Sequence, residues 1–120
     1  MAPSTIDACK GKVQAFCENR EWDQFHTPDQ LAIGVTTEAA ELLEIFRFKS
    51  SAETADLMAS KQGRERVSDE LADVFFFLLR FAQLNHIELA EALDAKLAKN
   101  EAKYPISKAK GRNLKYDELT

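Results

Sequence analysis

Apolar positions recur three and four residues apart through most of this chain, the spacing that gives a helix one oily face. In the first segment Ile6, Val13, Phe16 and Cys17 keep that period. It predicts a helix from about Thr5 to Arg20, with Ser4 and Asp7 as a capping-box-like start. A short polar and aromatic stretch follows, R-E-W-D-Q-F-H. The second helix has the clearest beginning. Thr27 suits the N-cap, Pro28 the first helical position, and Gln30 would complete a T-x-x-Q capping box. Leu31, Val35, Leu42, Ile45 and Phe46 supply its apolar faces, and its end is expected near Phe48.

Residues 49–66 are polar, with room for a short helix around Ala52–Ser60 and an expected break at Gly63. A third helix is predicted from about Glu65 to Asn85. Leu71, Val74, Phe75, Phe76, Phe77, Leu78, Leu79, Phe81 and Leu84 leave it almost no polar face. A helix apolar nearly all round is buried on several sides, and in a chain this small that calls for a second subunit. A fourth helix, from about Glu88 to Lys103, carries Leu89, Leu93 and Leu97 as its stripe, and Pro105 stops it. The remaining tail is basic and reads as irregular.

No strand pattern occurs. The expected architecture is an all-α four-helix bundle over residues 1–104, followed by a basic tail over 105–120. Its core would be completed by forming a homodimer or homotetramer.

Length and charge exclude several functions. At 120 residues the chain is one domain, and 45% apolar with 30% charged residues is ordinary for a globular protein. A net charge of -4, with no basic stripe between aromatics, argues against a nucleic-acid polymer as partner. No apolar run approaches the ~20 residues of a membrane span, and no signal-peptide pattern opens the chain, so a cytoplasmic location without membrane contact is expected. Cys9 and Cys17 lie eight apart, ~12 Å on a helix, too far for a disulfide. They read as reduced core residues.

Two pairs of carboxylates interrupt the oily helices: Glu38 and Glu41 in T-E-A-A-E-L-L-E-I-F, and Glu70 and Asp73 in S-D-E-L-A-D-V-F-F-F-L-L-R-F. Residues three apart share a helix face, so each pair points one way. A single such pair usually lies on a solvated face. Asp73 fits that plainer reading badly, because it is a poor helix former followed directly by Val-Phe-Phe-Phe-Leu-Leu. Buried carboxylates without a partner cost several kcal/mol or more, so the two pairs together call for a cation. Di-iron bundles need Glu-x-x-His, and neither His26 nor His86 follows a glutamate by three. Oxygen ligands alone favour Mg²⁺, with Mn²⁺ the alternative, and Mg²⁺ commonly bridges carboxylates and substrate phosphates. Glu44 continues the first series, as a further ligand, a water-activating base or an exposed residue.

Three other features carry weaker signals. Trp22, the only tryptophan, sits with Phe25 and His26 before the second helix, as a hydrophobic staple or a base-stacking pocket. Spacing favours the staple. His86 reads as structural. Lys96, Asn100, Lys103 and Tyr104 share a helix face near a C-terminus, and spacing favours a solvated face over phosphate contact.

The order E-A-A-E-L-L-E-I-F, then D-E-L-A-D-V-F, resembles the MazG-like nucleotide pyrophosphohydrolases, whose pattern is Glu-x-x-Glu, a spacer of this length, then Glu-x-x-Asp. The segments N-R-E-W-D-Q-F-H-T-P-D-Q-L-A, K-N-E-A-K-Y-P and K-Y-D-E-L are similar to the dCTP-pyrophosphatase branch, so the likeness spans nearly the whole chain. The resemblance implies Mg²⁺-dependent hydrolysis of a deoxynucleoside triphosphate, such as dCTP or a modified relative, to the monophosphate and pyrophosphate in nucleotide-pool housecleaning. It implies Glu38, Glu41, Glu70 and Asp73 as metal ligands and one of Glu38, Glu41 and Glu44 as the group that activates water. Trp22, Asp23, Gln24, Phe25 and His26 would line the base and sugar pocket, and Lys96 and Asn100 would contact phosphate.

The departures fall on the base pocket and leave the acids intact. Phe48 stands where relatives often have tryptophan, Phe77 where some have tyrosine, and Val13 where animal members have histidine. The alternatives are the same fold with a dUTP or dATP preference, or a non-catalytic helical oligomerisation or regulatory module.

Overall fold

The computed structural model describes residues 5–120, and every regular element among them is helical. The order is α1 (Ile6–Asn19), α2 (Pro28–Phe46), α3 (Ser51–Ala59), α4 (Lys61–Leu84), α5 (Leu89–Lys103) and α6 (Ile106–Ala109). Short 3₁₀ turns lie at Asp23–Phe25 and Tyr116–Glu118. The four long helices fall where the apolar period placed them, and the all-α expectation holds. The chain divides after His86 into two compact units. None of the helices among the described residues is long and apolar enough to cross a membrane.

In the first unit α4 is the central element, and α1, α2 and α3 each pack against it. The buried apolar side chains are Cys17, Leu31, Ile45, Val67, Leu79 and Ala82, drawn from α1, α2 and α4. Cys9 and Cys17 are both free, as expected, and burial pushes the Cys17 thiol pKa up. At Gly34 of α2 an added Cβ would come within 2.5 Å of the Phe77 ring, so the missing side chain lets α4 lay that ring against the α2 backbone.

Several local expectations are corrected. The first N-cap is Thr5, whose hydroxyl accepts from the Ala8 amide at 3.0 Å; the Ser4 start lies outside the described residues. Thr27 forms no capping bond. Its hydroxyl serves the Asp29 carboxylate instead and helps to hold that carboxyl's pKa below the usual value. α2 stops at Phe46, two residues early, because Phe48 takes a left-handed conformation with φ 63°. The basic tail is not irregular throughout, since α6 and the last 3₁₀ turn lie within it.

Gly63 does not break the chain. The break is at Ser60, which ends α3 and begins α4. Its hydroxyl donates to the Leu57 carbonyl and accepts from the Gly63 amide, both at 2.9 Å. That turn brings the Leu57 carbonyl to 2.0 Å from where a Gly63 Cβ would stand. Glycine is therefore required by the close approach of two backbones inside α4's first turn.

Gly63→Ala is expected to destabilise the protein by about 2 kcal/mol, as overpacking against a fixed backbone does. Thermal melting checks this. An alanine variant with an unchanged melting temperature would show that the α3–α4 turn is looser than described.

Candidate metal centre and its aromatic cavity

The side chains of Glu38 on α2 and of Glu70 and Asp73 on α4 converge. One carboxylate oxygen from each lies within 4.8 Å of the others. The two α4 acids are three apart and share a face, and the packing of α2 on α4 brings Glu38 to them. Glu38 and Glu70 are half-buried. Burial raises the Glu38 pKa, and the neighbouring charges of Asp73, Glu70 and Glu41 raise it further. Glu70 Oε2 is buried with no hydrogen-bond partner. A buried carboxylate oxygen left bare is costly, and a hard cation would satisfy it. The donor set, all carboxylate oxygen, suits such an ion.

Glu41 and Glu44 lie elsewhere on α2. Glu41 is exposed one turn beyond Glu38 and acts on it through charge, outside the converging group. Glu44 is exposed and paired to Arg47 at 3.1 Å.

Beside the acids is a cavity of about 280 Å³, lined by Glu38, Asp73, Phe16, Trp22, Phe76 and Phe77. The rings meet edge to face: Phe16 with Trp22 at 5.6 Å, Phe16 with Phe76 at 6.0 Å and Phe76 with Phe77 at 5.3 Å between centroids. The Arg20 guanidinium covers Phe16, 3.7 Å from its ring centre. Trp22 and Phe77 are thus in the cavity wall. Phe16 and Phe76 join them, although their helical spacing reads only as core.

The rest of the Trp22–His26 segment turns elsewhere. Gln24 Nε2 donates to the Glu21 carbonyl at 3.0 Å, and Phe25 is exposed. Asp23 and His26 are held by Arg80, a residue to which the sequence reading assigned no role. Arg80 is fully buried. It donates to the Asp23 carboxylate, to His26 Nδ1 at 2.9 Å and to Gln83 Oε1 at 2.7 Å. The available signal was a lone arginine within F-F-F-L-L-R-F-A, seven residues after Asp73. Burial and the Arg80 charge lower the His26 pKa, against a smaller opposing effect of Asp23.

Phe48 is 91% exposed, with the Arg47 guanidinium 4.7 Å from its ring centre, and does not line this cavity. Lys96 and Asn100 lie one turn apart on α5, within the second unit.

Two outcomes are expected. Without metal, Asp73→Asn should keep stability or raise it by about 0.5 kcal/mol, because it removes repulsion at a partly exposed site; a clear drop in melting temperature would contradict carboxylate clustering. The lowered His26 pKa means that the unfolded chain binds the proton more readily. Its contribution to stability is present above the ordinary value of 6.5 and is lost as pH falls through that value towards the folded one. His26→Asn keeps an acceptor near the Nδ1 position but cannot titrate. Melting curves from neutral to mildly acidic pH should fall less steeply for this variant than for the wild type.

The profile of the MazG-like family matches residues 33–119. The chain is similar to dCTP pyrophosphatase 1 of Rattus norvegicus, 34% identical over 104 residues, and to that of Homo sapiens, 33% identical over the same length. Each match covers 87% of this chain but 61% of the relative, so the chain spans about three-fifths of the length of these curated proteins. A solved pyrophosphatase from Archaeoglobus fulgidus DSM 4304 superimposes with a TM-score of 0.77 at 35% identity, over 88% of this chain and 96% of that one. With a family profile matched over most of its length and a solved relative covered almost end to end, this chain belongs to the MazG-like family.

Proposed function

We propose that the protein is a nucleotide pyrophosphohydrolase that cleaves deoxynucleoside triphosphates, dCTP or a modified relative foremost, to the monophosphate and pyrophosphate. The observation that carries this reading is the placement of three converging carboxylates beside one cavity walled by Phe16, Trp22, Phe76 and Phe77. Acids suit a metal-bound triphosphate, and ring edges and faces suit a base. The names of the dCTP pyrophosphatase relatives support the same substrate class.

Glu38, Glu70 and Asp73 would hold the ion, and Mg²⁺ fits their hard oxygen donors, with Mn²⁺ the alternative. When bound, the ion would neutralise phosphate charge and make the attacking water more acidic. The chain's own residues do the rest. Phe16, Trp22, Phe76 and Phe77 seat the base and exclude water around it. Glu41, one turn from Glu38 and outside the converging group, is the carboxylate assigned to orient or deprotonate the water. The Glu44 carboxylate is engaged by Arg47, which leaves it the weaker candidate. Lys96 and Asn100 are proposed as phosphate contacts from their sequence motif.

The working unit is proposed to be a homodimer or homotetramer. Leu71, Phe75 and Leu78, at helical spacing on α4, are each about two-fifths to one-half exposed in the single chain. That stripe is the apolar surface a second subunit would cover.

Incubation with individual deoxynucleoside triphosphates, with and without Mg²⁺, followed by anion-exchange separation, tests the activity. Monophosphate and pyrophosphate should form in equal amounts and only with the metal. Glu70→Gln should lower turnover roughly a hundredfold or more while the variant stays folded. Release of inorganic phosphate and a diphosphate, or no product from any nucleotide, would sink the reading.

A further inference from the structure

Arg80 occupies a place where an arginine is costly. From Val74 to Leu84, α4 is apolar except for Arg80 and Gln83. The Arg80 side chain is removed from solvent. Taking a guanidinium out of water costs several kcal/mol, and a well-packed apolar residue often serves stability equally well or better. The directions of its donors indicate what the charge does.

Nη2 donates to the Asp23 carboxylate and Nε to His26 Nδ1. Asp23 opens the 3₁₀ turn and His26 follows its last residue, so one planar fork grips both ends of that turn. Nη1 donates to Gln83. Gln83 Nε2 in turn donates to the Lys10 carbonyl and to Gln14 Oε1 on α1, both at 3.1 Å. The guanidinium is therefore braced from the side opposite the turn. Trp22 immediately precedes the gripped turn and forms part of the cavity wall. Its ring also lies edge-on to His26, 6.3 Å between centroids. Arg80 follows Asp73 by seven residues, nearly two helical turns and ~10 Å along the same face. One rigid helix thus carries two of the acids and the clamp for the tryptophan.

We propose that Arg80 is a positioning residue for the substrate cavity. Acting through Asp23 and His26, it sets the distance between Trp22 and the acidic cluster and does not touch the nucleotide. This deepens the activity proposed above and rests on it for the kinetic effects.

Trp22 is the only tryptophan, so intrinsic fluorescence reads this position alone. The variants are Arg80→Met, which keeps the length of the side chain without its donors, and Asp23→Asn, which keeps the shape of a half-exposed partner and weakens the grip by removing its charge. In both, Trp22 emission should shift to the red and acrylamide quenching should increase. KM for the preferred deoxynucleoside triphosphate should rise roughly tenfold, with kcat changed much less, because the loss is in placement of the base. Arg80→Lys, a point charge that cannot span both ends of the turn, should rescue little of either property. If Arg80→Met does not fold, Asp23→Asn carries the test. A lower melting temperature with wild-type Trp22 emission and wild-type KM would reduce Arg80 to a structural residue and overturn the proposal. Fluorescence needs no turnover, so failure of the activity reading and failure of the clamp are told apart. An inactive wild type with a red-shifted Asp23→Asn variant would refute the former and keep the positioning of Trp22.

Discussion

Three carboxylates brought within 4.8 Å of one another repel, and the packing of α2 on α4 holds them there. That constraint organises the first unit. Glu70 and Asp73 come from one face of α4, and Glu38 reaches them only because α2 lies close against the same helix. Gly34 permits that approach by leaving room for the Phe77 ring. The raised Glu38 pKa and the unpartnered Glu70 oxygen are the electrostatic record of this crowding. Binding of the proposed cation would relieve this crowding, so it would be coupled to the stability of the α2–α4 packing.

The aromatic wall depends on a second buried charge, of opposite sign. Arg80 is held among apolar side chains by Asp23, His26 and Gln83, and the first two of these belong to the segment that carries Trp22. Arg80 and two of the three acids, Glu70 and Asp73, are mounted on α4, a helix otherwise almost free of polar residues over its second half. Its apolar surface secures α1 and α2 and still leaves Leu71, Phe75 and Leu78 partly exposed in the single chain. One helix is thus the support for two of the acids, the clamp and the exposed apolar stripe.

Much of the fold was legible from periodicity, because helices announce themselves locally. Helix N-caps and turns were less so. Thr27 and Gln30 had the letters of a capping box, yet the Thr27 hydroxyl turned to Asp29. Gly63 looked like a break, yet it marks a backbone approach that the position of Leu57 creates. In the site, the paired acids were recognisable because charge within an oily helix is conspicuous. Arg80 was equally conspicuous in F-F-F-L-L-R-F-A, but no local pattern names the partner of a buried cation 57 residues away.

The sequence by itself determined the helical class, the rough limits of the long helices and the carboxylates on shared faces, since each follows from spacing within one element. The family likeness also lies in the sequence, in the order of its motifs. Only the tertiary structure decided which acids meet. It kept Glu41 and Glu44 outside the converging three, moved Phe16 and Phe76 from expected core to cavity wall, and gave Asp23 and His26 to Arg80. The physical reason is that a helix fixes the direction of a side chain, whereas its neighbours, its burial and therefore its charge state are set by whichever helix packs against it.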